Sequence, residues 1–140
     1  MKSMDHPLPP GIRLLAESEN LLVVHEYEYA SIYFKRSKEK ILVDDFYGDP
    51  CCALISPDED WVLIGGEHLT LWKDGLTRRI DGIHWIDSLR LVDTGAAYIL
   101  VDPWSDDSAI WKIDISTMRL DKVRDFTTYR EEPYTEDIEW

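Results

Sequence analysis

At 140 residues the chain is about one domain long. Its 28 acidic side chains against 15 basic give a net charge of −13, which argues against a general nucleic-acid binder, because phosphate neutralisation needs positive charge. A hydrophobic content of 44% excludes a disordered or collagenous chain, and two adjacent cysteines exclude a disulfide scaffold.

The chain opens MKSMDHPLPPG, with no apolar stretch behind its lysine, so no secretory signal is read there. No window approaches the roughly 18 apolar residues of a membrane span. A cytoplasmic location without membrane contact is expected. Pro7, Pro9 and Pro10 oppose helix and central strand, so residues 1–11 are read as an extended arm. Residues 12–140 then form a single β-rich domain with an acidic C-terminal tail.

Short β-prone runs separated by turn signals dominate the rest. Ile12–Ala16 opens the series. Leu21–Phe34 alternates and is long enough for one bent strand. Lys40–Phe46 ends at Tyr47-Gly48-Asp49-Pro50. Cys51–Ile55 and Trp61–Ile64 flank the turn Ser56–Asp60, and Gly65-Gly66 precedes Leu69–Trp72. Leu76–Ile80 is expected to break at Asp81-Gly82 before Ile83–Val92. Ala96–Val101 is apolar throughout, as in a strand buried on both faces. Ala109–Ile115 alternates again. Ser116–Asp125 fits either a short helix or an edge strand over Leu120–Phe126.

The predicted fold is therefore all-β, mainly an antiparallel meander, with at most one short helix. A weak internal echo relates Ala53–Trp72 to Leu89–Ile113, with Trp61 and Tyr98 at matching places. The stretch SPDEDWVLIGGEHLTLW is similar in style to a β-propeller blade, but it lacks Gly-His and Trp-Asp signatures. A closed propeller typically takes four or more blades, and the chain has room for about three. A sandwich or curved, barrel-like sheet is expected instead.

Signals for chemistry are sparse. Cys51 and Cys52 look like strand neighbours pointing to opposite faces, hence reduced structural thiols. His6, His25, His68 and His84 form no ligand-spaced pair. No nucleophile or phosphate-loop motif occurs. No cofactor, no resident metal and no catalytic residue is assigned. Asp102–Ser108 gathers three carboxylates and two hydroxyls but lacks the glycine and distal glutamate of a calcium loop.

Charge is unevenly placed. Residues 41–75 carry eight acids and one base, residues 91–115 five acids and one base, and residues 131–140 five acids and no base. Aromatic side chains among acids suit capture of a basic protein, the aromatics anchoring and the carboxylates steering. The candidate partner-binding residues are Asp58, Glu59, Asp60, Asp102, Trp104, Asp106, Asp107, Glu131, Glu132 and Tyr134. The expected function is a non-enzymatic binding module, specifically an immunity protein that neutralises a basic, nuclease-type bacterial toxin by occluding its active site. The alternatives are a structural β scaffold that forms homo-oligomers and a metal-dependent hydrolase using dispersed His and Asp.

Overall fold

The computed structural model describes residues 8–135 and 138–140. Among the described residues it contains twelve strands and no helix. They form three four-stranded antiparallel meanders in chain order. The first sheet holds β1 (Ile12–Glu17), β2 (Leu21–Glu26), β3 (Tyr29–Phe34) and β4 (Lys40–Asp45). The second holds β5 (Cys52–Ile55), β6 (Trp61–Gly65), β7 (His68–Lys73) and β8 (Leu76–His84). The third holds β9 (Ile86–Asp93), β10 (Ala96–Val101), β11 (Ala109–Asp114) and β12 (Leu120–Asp125).

The all-β meander expected from alternation is what forms. The internal echo marks the repeating unit, since Trp61 and Tyr98 both lie on the second strand of their sheets. Two local boundaries differ from expectation, and at a third one of the two expected alternatives forms. Leu21–Phe34 is a hairpin rather than one bent strand, because the chain reverses at Tyr27-Glu28 with Tyr27 in the left-handed region (φ 51°). Strand β8 runs through Asp81-Gly82, which form a bulge between the pairs His68–His84 and Leu69–Ile80; the chain turns instead at Trp85 (φ 57°). The segment from Ser116 gives a turn and then edge strand β12, whose Leu120 pairs with Ile113.

Strand β5 packs beside both β1 and β9, so the first strands of the three sheets converge. Side-chain alternation along β6 then joins the sheets face to face. Val62 and Ile64 enter a cluster with Val23 and Ile32 of the first sheet. Trp61 and Leu63 point the other way, into a cluster with Ile99 and Ile113 of the third. Trp61 is 1% exposed and its indole N–H donates to the Thr94 carbonyl at 2.8 Å.

Strand β10 is buried on both faces, as its apolar run predicts. Ala97, Ile99 and Val101 face the second sheet. Leu100 faces outward with Ile110 and Phe126, beneath Tyr129, Ile138 and Trp140. Tyr129, Ile138 and Trp140 of the tail therefore pack, and the Arg90 guanidinium lies 4.3 Å from the centre of the Trp140 ring. On the first sheet's outer face, Leu22 and Val24 line a groove of about 400 Å³ with Leu8 and Pro9. Residues 1–7 of the expected arm lie outside the described residues.

A candidate protein-binding end

The meander order divides the connections between two ends. All six hairpin turns that follow odd-numbered strands lie at one end, the turn end. The β2–β3, β6–β7 and β10–β11 loops, both sheet-to-sheet crossings and the segment after β12 lie at the other, the crossing end.

At the turn end, polar side chains are spent on the fold. The Glu59 carboxylate accepts bonds from the Ser18 hydroxyl, the Asn20 amide nitrogen at 2.9 Å and the Asn20 side chain at 2.7 Å. It thus clasps the second sheet to the first. Burial alone raises its pKa, but these donors and Lys35 outweigh that and hold the group below its ordinary value. Asp60 accepts from the Ser56 hydroxyl at 2.6 Å, leaving Asp58 exposed. Lys35 pairs with Glu17 at 2.7 Å.

The crossing end is held by backbone bonds, with Glu28 on the Gly48 N–H and Arg130 on Ser108, and presents its large aromatics outward. The Phe46 N–H donates to the Glu28 carbonyl, and the Ile86 N–H to that of Gly66. The Trp85 N–H donates to the Glu67 carbonyl at 2.9 Å, and the Trp85 carbonyl accepts from the Asp102 N–H at 2.9 Å. One residue therefore ties the second sheet's loop to the third's. A bulky residue in left-handed backbone is a genuine outlier. Here both sides of Trp85 are pinned, and its ring stays 56% exposed.

Other aromatics stand at the same end. Tyr27, Tyr47 and Tyr134 are 75%, 79% and 72% exposed. Tyr134 lies 4.9 Å, centroid to centroid, from Trp104, whose indole nitrogen is buried without a hydrogen-bond partner among the described residues. Trp85 and Asp102 border two clefts, one of about 300 Å³ reaching Tyr47 and Trp104, the other of about 400 Å³ reaching Trp111. Burial raises the pKa of Asp87 in the smaller cleft, with some repulsion from Asp102.

Of the residues expected to bind a partner, Asp102, Trp104, Asp106, Asp107, Glu131, Glu132 and Tyr134 come together at the crossing end, where the Glu131 N–H approaches the Trp104 carbonyl at 3.4 Å. Asp58, Glu59 and Asp60 sit at the opposite end and do not join them. Sequence reasoning missed Tyr27, Tyr47 and Trp85. Their signal was weak: an aromatic where a turn normally carries Gly or Asn.

A polar network lies between the first two sheets. Asp44 on β4 accepts from Thr70 at 2.6 Å and from Arg79 at 2.8 Å, and faces His68 Nε2 at 2.9 Å. Burial would raise the Asp44 pKa, but these partners hold it down to about 2. His68 stacks on Phe46 with centroids 4.2 Å apart, and its Nδ1 meets Glu67 at 3.1 Å. Glu67 also lies 3.6 Å from His84. His25 is bonded elsewhere, its Nδ1 against the Tyr27 carbonyl at 2.9 Å. Among the described residues no group of three or more His, Cys, Asp or Glu is arranged to hold a metal ion, and no helix is long and apolar enough to cross a membrane.

No protein-family model matches the chain, and no curated protein sequence matches it. Solved structures do. A chain of Kuenenia stuttgartiensis hydrazine synthase superposes with TM-score 0.60 at 16% identity over 79% of this protein. A tricorn protease structure gives 0.63 at 11% identity over 86%. This chain spans 33% of the first and 14% of the second. At such identities the likeness is one of fold: three successive four-stranded antiparallel sheets.

Proposed function

We propose that the protein is a non-enzymatic, cytoplasmic binding module whose crossing end captures a basic protein partner. The observation that carries this reading is the set of exposed aromatics, Tyr27, Tyr47, Trp85 and Tyr134, held at one end among Glu28, Asp49, Asp87, Asp102 and Asp107. Large aromatics anchor interfaces, and carboxylates around them speed the encounter with a cationic surface. Trp85 strengthens the reading, because strained backbone that displays a side chain is a mark of functional positions. The narrower proposal is an immunity protein that occludes the cleft of a nuclease-type bacterial toxin, since such a cleft must be basic to hold its substrate.

Calorimetry against the product of the adjacent reading frame tests this. Tight binding that weakens with added salt, together with loss of the partner's nuclease activity, is expected. Absence of binding at low salt, or binding indifferent to Trp85→Ala and Tyr47→Ala, overturns it.

A second reading, an oligomerising β scaffold, is favoured by the outer face of the first sheet. Leu14, Tyr29 and Leu42 are exposed there at 39%, 56% and 64%. Light scattering separates the two: a closed homo-oligomer supports the scaffold, and a monomer that complexes only with a basic partner supports the inhibitor.

A further inference from the structure

Cys51 and Cys52 do not diverge as strand neighbours would. Cys51 precedes β5 and only Cys52 belongs to it, so the alternation of the strand does not apply across the pair. Both are free thiols, and their sulfurs lie 3.8 Å apart. Cys51 Sγ is also 2.9 Å from the Ile86 carbonyl. The fold keeps room for the second sulfur: a Cβ on Gly65 would lie 2.8 Å from Cys52 Sγ. Cys51 lines the smaller cleft at the crossing end beside Asp87 and Asp102.

Two thiolates bound to one ion at about 2.3 Å, near the tetrahedral angle, stand about 3.8 Å apart. The pair already has that spacing. We propose that Cys51 and Cys52 form a two-sulfur chelate for a soft, thiolate-seeking cation, whose remaining coordination positions open into the cleft. No third protein ligand is arranged for it among the described residues, so the ion is exchangeable rather than structural. On binding, both S–H bonds break, two sulfur–metal bonds form and two protons pass to solvent.

Beside the Cys52 S–H, the Cys51 thiol is held below its ordinary value. Cys52, next to that sulfur and more buried, is pushed up. Cys51, the more exposed of the two, is the entry ligand and Cys52 closes the chelate. Carboxylates around the cleft favour a cation over an anion there.

Cd(II) titrated into the reduced full-length chain, followed by thiolate-to-metal ultraviolet absorption, tests the site. One equivalent is expected to saturate it, and Cys51→Ser and Cys52→Ser are each expected to weaken binding roughly 100-fold, the usual scale of losing a second linked contact. Phenylarsine oxide gives a second readout by mass. Two sulfur–arsenic bonds form while the arsenic-bound oxygen leaves as water with both thiol protons. That adduct is expected to survive excess monothiol and to be removed by a dithiol. Cys51→Ser changes an exposed position and keeps the fold; if it binds Cd(II) as tightly as the parent, or if monothiol strips the arsenical, the chelate is ruled out.

Discussion

The turn end and the crossing end use the same residue types for different purposes. At the turn end, polar side chains close on the fold: Glu59 satisfies donors of the β1–β2 turn, Asp60 accepts from the Ser56 hydroxyl of its own turn, and Trp61 drives its ring between two sheets. At the crossing end, main-chain bonds hold the loops together with a few side chains, among them Asp44, Glu28 and Arg130, and Tyr27, Tyr47 and Trp85 are left to face solvent. An acid or an aromatic in the sequence is therefore informative only with its address. Substitutions at the turn end should move stability, and those at the crossing end should move binding.

The largest effect is expected at Trp61. Removing a fully buried indole that also donates to Thr94 leaves a cavity between the second and third sheets. Trp61→Ala should cost about 3–5 kcal/mol in denaturant unfolding. Trp85→Ala and Tyr47→Ala should give the opposite pattern, with stability within ~0.5 kcal/mol of the parent and about 2 kcal/mol lost in partner affinity by calorimetry. If either substitution unfolds the protein, the division between the ends breaks down.

Next comes the Glu59 clasp. Glu59→Ala strips the Asn20 N–H of its acceptor and should cost about 1–3 kcal/mol, read as a lower midpoint, with partner binding unchanged. Asp44 sharpens the comparison through pH. Its folded pKa of about 2 lies below the ordinary 3.8, so its contribution is fully present above pH 4 and fades as pH falls through 2. After allowance for solvent screening, about 1–2 kcal/mol should vanish across that window, and Asp44→Asn should flatten the acid limb of the stability profile. The smallest effect should come from Trp85→Gly. Relief of left-handed backbone, about 1 kcal/mol, offsets the added freedom of the unfolded chain, about 0.4–1 kcal/mol. Stability should hold while binding is lost.

Much of the fold was legible because alternation and turn residues are local. The runs Ala96–Val101 and Ala109–Ile115 fall on β10 and β11 nearly to the residue. The errors arose where backbone geometry was supplied by residues that do not advertise it. Tyr27 and Trp85 turn the chain with left-handed φ, while Gly82, which does advertise a break, sits in a bulge inside β8. The candidate site was half legible. The 102–107 loop and residues 131–134 were identified and do meet, whereas Asp58, Glu59 and Asp60 share their composition but lie at the far end. Which end a turn occupies depends on strand order, and a charge tally does not carry it. The sulfur spacing of Cys51 and Cys52 likewise depended on where β5 begins.

The placement of β6 has a consequence for how the molecule comes apart. Its two faces feed two separate apolar clusters, and the first and third sheets share neither. Cooperativity must therefore pass through the middle sheet, as in a short linear array with nearest-neighbour coupling. Amide hydrogens of β6 should exchange slowest, close to the rate of global opening, and those of β4 and β12 fastest. The first sheet is then able to open while the other two stay closed, and an exchange experiment would register that as two protection classes within a single small chain.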